Sequence, residues 1–490
     1  MYEKEYKKIL KNKKYFEHIL DLVNSNKISD DIKLQIAKYA CKFATLCPTG
    51  YFYSNTLEKY FVDIAQNIHL DLSKDYLKDS CLHVMTTAYT SGGHTRVVER
   101  WLKLFDRTSK QSVVLINQEK NIIPEELKNN VKLRNGELII LDSDLPLIEK
   151  ALQLRLLASN YDYVVLHTHM DDPVATIAFG TEGFNRPVIL FNHADHMFWI
   201  GRTIADLVLD MRKYKSITKT FRNIEGSKIC PIPQEQTEKF PNKNISREKL
   251  NLSKEEKIIL LSGSYFKFNA ICEDSISDVL ECILKMKSQV KIIILGCKKN
   301  QKEFKAIKRK YHKNIIIKTK VPFEEYRYYV SSADLVIDSY PCSGGVTLID
   351  ATNAHVPYLS LDTLIGQMDS VANTLGFCTS KEELIKKALK VLYDNSYANE
   401  IYESEKDLLN KYSNIDAWID NLESIIKTLP KTHMLRKIEL TNAPNFINDY
   451  SVVLNSMYNR KNGNYKSIRK RVRKLTFKNW INRIFKLNVN

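Results

Sequence analysis

Apolar positions along the chain change their rhythm after about residue 78. Before it they recur at helical spacing: Ile19, Leu20, Leu22 and Val23, then Ile36, Ala37, Ala40, Phe43 and Ala44. Pro48-Thr49-Gly50 interrupts the pattern ahead of a further helix over Leu57–Ile68. From Leu82 onward short apolar runs alternate with amphipathic stretches. Runs at Leu82–Thr86, Ser112–Ile116, Tyr163–His167, Pro187–Phe191 and Asp206–Asp210 predict strands, with helices such as Thr95–Phe105 and Leu145–Ala158 between them. A second series follows at Lys257–Ser262, Val290–Leu295, Asn314–Lys318, Asp334–Asp338 and Val356–Ser360. Pro231-Ile232-Pro233 and a polar stretch to about Arg247 separate the two series.

Alternating strand and helix implies parallel sheets covered on both faces, and two such series imply two doubly wound units. The expected class is α/β, with two Rossmann-like domains facing each other across a cleft. The expected divisions are a helical N-terminal region at 1–78, one Rossmann-like domain at 79–235, a second at 236–430, and a C-terminal helical region at 431–490.

Composition adds little until charge is located. The 490 residues are 44% apolar and 27% charged, which excludes a disordered chain, a collagen-like repeat and a small disulfide scaffold. Lys and Arg outnumber Asp and Glu by 74 to 57, a net +17 that points to an anionic partner. That excess is concentrated at the end. Residues 460–490 hold eleven Lys or Arg and no acid, so the preceding 459 residues carry only +6 of the +17. The nine cysteines are scattered, odd in number and lack paired metal spacing, which reads as reduced thiols in a cytoplasmic setting. The first residues lack the apolar core of a signal peptide, and no apolar run approaches the ~18 residues of a bilayer span.

Three segments carry candidate chemistry. Ser91-Gly92-Gly93-His94-Thr95-Arg96 follows the first strand and opens a helix, where paired glycines and helix N–H groups let a ligand approach the backbone. The alternative there is an ordinary tight turn. Ser343-Gly344-Gly345-Val346-Thr347, followed by Asp350, has the same placement in the second series. Its glycines and hydroxyls suit a diphosphate at a helix start, and Asp350 suits ribose hydroxyls. The Lys of a Walker A loop is missing, so an NTPase is a poor fit. Lys267 is either the missing cation or a solvated loop lysine.

The third segment is a concentration of histidines at strand ends: His167, His169, His193 and His196, with His94 on the first loop. A metal site is the rival reading, but no ligand spacing such as HExxH is present. Capping and hydrogen bonding at strand ends suffices for His167. A near-neutral His beside an Asp is what a general base needs to take a proton from a hydroxyl. His193 is the first candidate, with Asp195 or His196 next.

These segments together resemble a bacterial GT-B glycosyltransferase that uses a nucleotide-activated sugar. Gly92-Gly93 with Arg96, the His167-Thr168-His169 strand end, and Ala333-Asp334-Leu335 leading into Ser343-Gly344-Gly345-Val346-Thr347-Leu348-Ile349-Asp350-Ala351 carry the resemblance over roughly residues 80–425. It implies that domain 236–430 binds a nucleotide sugar, UDP-linked by preference, through Lys267, Ser343, Gly344, Gly345, Thr347 and Asp350. It places Gly92, Gly93, His94, Arg96 and His169 at an acceptor or sugar loop in domain 79–235, with His193, Asp195 and His196 catalytic. The large retaining group carries two glutamates eight positions apart; here those positions are Cys342 and Asp350. The Ser-Gly-Gly-x-Thr pattern is similar instead to inverting enzymes related to O-linked GlcNAc transferases. The implied enzyme is a hexosyl- or N-acetylhexosaminyltransferase with a His base, inverting, and no cofactor or metal beyond the nucleotide sugar itself. Two rivals are a sugar-nucleotide epimerase and a catalytically idle GT-B module that binds glycan or nucleic acid.

In the tail, Ile468, Val472, Leu475, Trp480, Ile481, Ile484 and Phe485 recur at helical spacing among basic residues. A basic amphipathic helix with aromatic residues is expected at an anionic membrane surface, on the inner face of the membrane, and this fits a glycan or lipid-linked acceptor in polysaccharide biosynthesis. A solvated or body-packed terminal helix and a nucleic-acid arm are the alternatives, with nucleic acid not the expected partner.

Overall fold

The computed structural model describes residues 2–487 apart from 73–74, 91–92, 234–239, 269, 271–274, 299–300, 320, 345, 440–442 and 459–461. Two parallel sheets form its frame. The first runs β1 (Leu77–Met85), β2 (Lys110–Leu115), β3 (Leu138–Ile140), β4 (Tyr161–His167), β5 (Val188–Asn192), β6 (Leu207–Asp210) and β7 (Lys228–Ile229), in the order β3-β2-β1-β4-β5-β6-β7. The second runs β8 (Ile258–Ser262), β9 (Lys291–Leu295), β10 (Ile315–Lys318), β11 (Leu335–Ile337), β12 (Tyr358–Leu361) and β13 (Phe377–Cys378), in the order β10-β9-β8-β11-β12-β13. These are two Rossmann-like α/β domains. All ten strands expected from the apolar runs are present; β3, β7 and β13 are two- or three-residue edge strands too short to leave a pattern.

Strand order reverses between β1 and β4 in one sheet and between β8 and β11 in the other. Ligands of open α/β sheets sit beyond the carboxyl ends of strands at such a switch point. Those ends are residues 86–90 and His167 in the first sheet, and Gly263 and Asp338 in the second.

Both faces of the first sheet are buried, so its strands are apolar throughout rather than alternating with polar residues. Leu82, Val84, Val164, Leu166 and Val188 pack against the N-terminal helices Tyr2–Asn24, Asp30–Leu46 and Asn55–Gln66. Cys81, Tyr163, Val165, Ile189 and Phe191 pack on the opposite side against Trp101 and Phe105, and against Trp418, Ile419, Leu422 and Ile425. That last set belongs to the helix Ile415–Ile426, expected within the second domain. Its apolar stripe returns the chain to the first sheet instead. The stretch after it stays there: His433 is buried between the Asp206 carboxylate (2.7 Å) and the Phe179 carbonyl (2.9 Å). The helical preface is clamped to the same domain by buried Glu58, whose carboxylate accepts the backbone N–H groups of Gly201, Arg202 and Thr203 at 2.8, 2.9 and 3.2 Å.

The tail forms one helix, Asn462–Leu487. Ile468 and Val472 are buried in the core of the helical preface, and Leu475 packs at its edge. Asn479 donates to the Lys27 carbonyl and accepts from the Ser29 N–H, both at 3.0 Å. The expected single apolar stripe is thus divided: its first half docks on the body, while Trp480 stands exposed beside Phe477, ring centroids 5.7 Å apart. Among the described residues no helix is long and apolar enough to cross a membrane.

Candidate functional site

The first-domain site forms where β1, β4 and β5 end. His193 follows β5, and its Nε2 lies 2.9 Å from Nδ1 of His167, the last residue of β4. His94, in the first turn of the helix Gly93–Leu104, places its ring centroid 4.0 Å from that of His193 and its Nε2 2.6 Å from the His167 carbonyl oxygen. His169 stacks on Tyr89 with centroids 5.9 Å apart and is 5.6 Å from His94. So His94, His169 and His193, 99 residues apart along the chain from first to last, meet in one cluster because three parallel strands end together. Burial, and then the like charges of neighbouring imidazoles, drives His193 and His167 well below the ordinary histidine range and His94 down to about 4. All three are uncharged at neutral pH.

Gly93 opens this helix with nothing described within 4 Å of where a Cβ would stand, so the space beside it is open. Arg96 is exposed one turn further on. Gly92 lies outside the described residues.

Asp195 and His196 have a different employment. Asp195 is bound by Arg212, with Nε and Nη2 at 2.7 and 2.6 Å from one carboxylate oxygen, while His196 Nδ1 lies 3.5 Å from the other. Burial alone would raise this carboxyl; the hydrogen bond from His196 and the Arg212 charge outweigh it and hold it at about 2. Arg212 also donates to the Gln367 carbonyl in the second domain at 3.2 Å. The backbone N–H groups of Lys213 and Tyr214 donate to Asp369 at 2.7 and 3.0 Å, and Lys215 pairs with Asp362 at 2.5 Å. Residues 212–215 therefore tie the two domains together next to the histidine cluster.

The second-domain site is the loop that follows β11. Asp338 is buried and accepts from the Ser339 N–H (2.7 Å), the Ser343 hydroxyl (2.6 Å) and the Gly344 N–H (2.8 Å). Two groups expected to face a diphosphate, the Gly344 N–H and the Ser343 O–H, are therefore donated to Asp338. A negative charge at the strand end is the strongest acceptor within reach of them. A Cβ on residue 344 would stand 2.7 Å from Thr347 Oγ1 and 2.9 Å from Asp338 Oδ1, which is why a glycine is needed there. Lys267 Nζ reaches this loop, 3.1 Å from the Ser343 carbonyl, so it is not a detached solvated lysine. Asp350 accepts from the Tyr326 hydroxyl at 2.8 Å on one oxygen. Gly345 lies outside the described residues, and the helix Val346–Asn353 starts immediately after it with first-turn N–H groups that have no partner inside a helix.

The two sites converge. Burial raises the Cys342 thiol to about 11, and Cys342 shares one buried apolar cluster with Ile365 of its own domain and Ile217 of the other. Sequence reasoning missed Asp338, Arg212, Gln111 and His83. The signal for Asp338 was its place at the end of the switch-point strand. For His83 it was a lone polar residue inside the apolar run of β1. Among the described residues no group of three or more His, Cys, Asp or Glu is arranged to hold a metal.

No protein-family model matches the chain, and no curated protein matches it in sequence. Solved structures do. A mutant O-GlcNAc transferase of Thermobaculum terrenum aligns over 87% of this chain and 81% of its own at 11% identity and a TM-score of 0.56. The Anabaena protein Alr3699/HepE, in complex with UDP and glucose, aligns over 71% and 100% at 13% identity and 0.50. Sucrose-phosphate synthase from Thermosynechococcus elongatus aligns over 71% and 99% at 12% identity and 0.51. With both sheets, their switch points and these alignments in agreement, the chain has the GT-B fold of nucleotide-sugar glycosyltransferases.

Proposed function

We propose that the protein transfers a sugar from a UDP-sugar to a hydroxyl of a glycan or lipid-linked acceptor, with inversion and with His193 as general base. The observation that carries this reading is the contact between the two sites: Cys342, in the loop built on Asp338 and Lys267, shares one buried cluster with Ile217 of the first domain, and Arg212, bound to Asp195 after the histidine cluster, donates to the Gln367 carbonyl at 3.2 Å. Lys267 and the start of the helix Val346–Asn353 supply positive charge for a departing diphosphate. His193 takes the proton of the acceptor hydroxyl. The acceptor oxygen then bonds to the anomeric carbon, whose bond to the diphosphate oxygen breaks, and the electron pair leaves with the nucleotide. Both oxygens of Asp195 are engaged, one by Arg212 and the other facing His196, so Asp195 anchors Arg212 and the domain contact instead.

The acceptor's approach is a cavity of about 740 Å³ between the helical preface and the ends of β1 and β4. His169, Asp171, Lys42 and Arg471 line it, so the terminal helix supplies part of the wall. The HepE structure holds UDP and glucose, which supports the choice of donor. The test is a thermal-shift screen of the full chain with UDP, GDP and CMP and their sugar conjugates, followed by product analysis. Binding to the folded state raises the melting temperature. A shift with UDP compounds and sugar transfer to an added acceptor is expected; no shift with any nucleotide would end this reading. Conversion of the donor alone to an epimer would favour the epimerase.

The exposed Phe477 and Trp480, among exposed Lys470, Arg473, Lys474 and Lys478, form the part of the tail proposed to meet an anionic membrane. Each Lys or Arg near such a surface contributes about 1 kcal/mol. Changing Phe477 and Trp480 to Ser is expected to lower co-sedimentation with phosphatidylglycerol vesicles while leaving the melting temperature in place. Equal pelleting of both proteins would discard the membrane contact.

A further inference from the structure

Four side chains on one face of the first sheet form a single hydrogen-bonded chain that ends at His193. Parallel register sets Cys81 opposite Gln111 and Tyr163, and His83 opposite Val113 and Val165. Gln111, His83 and His167 therefore project to the same side of β2, β1 and β4. Gln111 Oε1 lies 3.2 Å from His83 Nε2, His83 Nδ1 lies 3.1 Å from His167 Nε2, and His167 Nδ1 lies 2.9 Å from His193 Nε2. Gln111, His83 and His167 are fully buried, and Trp101 covers both rings nearly at right angles, 5.4 and 6.0 Å from their centroids.

A neutral imidazole donates from one nitrogen and accepts at the other, so three rings in series allow only two directions. The far end decides between them. Gln111 Nε2 donates to the Phe105 carbonyl at 2.6 Å, which leaves Oε1, an acceptor only, facing His83. His83 Nε2 must then carry the proton. His83 Nδ1 accepts from His167 Nε2, and His167 Nδ1 accepts from His193 Nε2. The lone pair of His193 is on Nδ1. His94 is fixed independently, because its Nε2 faces the His167 carbonyl oxygen and has to donate to it. The titratable groups facing His193 are His94 and His169, those facing His167 are His193, His83 and His94, and Asp195 nearby is turned to Arg212.

We propose that Gln111, His83 and His167 are positioning residues that hold His193 in the tautomer protonated at Nε2, making Nδ1 the atom that receives the acceptor proton. This rests on the sugar-transfer reading above. When Nδ1 takes the proton, His193 becomes an imidazolium that keeps its Nε2–H bond to His167, and aligned hydrogen bonds behind it polarise one another in favour of that charge.

The test combines nitrogen-15 NMR of histidine-labelled full-length protein with kinetics of Gln111→Leu and Gln111→Glu. The wild-type spectrum is expected to show His193 protonated at Nε2 and bare at Nδ1. Gln111→Leu leaves a buried N–H of His83 without an acceptor, a cost that turns the chain round and moves the His193 proton to Nδ1. In a catalytic triad the wrong tautomer costs about 10⁴ in rate. Here kcat is expected to fall at least about 10²-fold, the lower range for losing a general base, with KM for the UDP-sugar unchanged. Gln111→Glu restores kcat: as a carboxylate it only accepts, and as a protonated acid it reproduces both hydrogen bonds of glutamine. Loss of packing alone would leave the tautomer as it was. A wild-type His193 protonated at Nδ1, or an undiminished kcat in Gln111→Leu, would overturn the proposal. If Gln111→Leu does not fold, the wild-type spectrum decides. If no nucleotide sugar is turned over, the sugar-transfer reading fails while the spectrum still decides the tautomer.

Discussion

Replacing His193 by alanine is expected to lower sugar transfer by about 10²–10⁴-fold, the usual worth of a general base, with KM for the UDP-sugar nearly unchanged. The split follows from placement. His193 follows β5 of the first sheet, whereas the loop expected to hold the nucleotide follows β11 of the second. Removing the imidazole takes away the proton acceptor and the last link of the Gln111–His83–His167 chain, but no residue of the donor loop. Its burial beside His94 and His169 keeps the ring uncharged, so activity should be level across neutral pH and fall only at pH values well below the ordinary histidine range. His94→Ala is expected to cost less, because His94 spends its Nε2 on the His167 carbonyl and supports the cluster rather than ending the chain. Steady-state kinetics with a UDP-sugar and its acceptor checks both. Turnover of His193→Ala near wild type would remove the base assignment.

The architecture was legible in the sequence because parallel strands buried on both faces leave apolar runs, and all ten such runs, nine of them interior to their sheets and β10 at an edge, became strands. The sites were legible as loops, since paired glycines and a cluster of His stand out beside apolar strands. Their internal wiring was not. Gln111 and His83 are a polar residue at a strand start and a lone His within an apolar run. Only the lateral pairing of β2, β1 and β4, which joins residues 28 and 84 positions apart, makes them one chain with His167. Arg212 is similar: it reads as a surface cation until the fold sets it between Asp195 and the Gln367 carbonyl. The tail shows the opposite failure. Its helical period is real, but period alone cannot say what an apolar stripe faces, and Ile468 and Val472 face the preface core.

Asp338→Ala is expected to raise KM for the UDP-sugar by tenfold or more while leaving the histidine cluster intact. Asp338 is the one acceptor shared by the Ser339 N–H, the Ser343 hydroxyl and the Gly344 N–H, all within 2.8 Å. A hydrogen bond to a charged group contributes about 1.5–3 kcal/mol to holding the loop, and a loop that must be re-ordered when the nucleotide binds passes that cost to the affinity, where about 1.4 kcal/mol is tenfold. The loss spreads, because Lys267 reaches the same loop through the Ser343 carbonyl and Thr347 packs within a methyl's distance of Gly344. Asp338→Asn separates charge from shape: it keeps one acceptor oxygen and most of the volume, so it should fall between wild type and alanine. Titration calorimetry with UDP reads this without needing an acceptor substrate. UDP affinity equal to wild type in Asp338→Ala, with the protein still folded by circular dichroism, would mean that the loop's order does not depend on this carboxylate and that the nucleotide binds elsewhere.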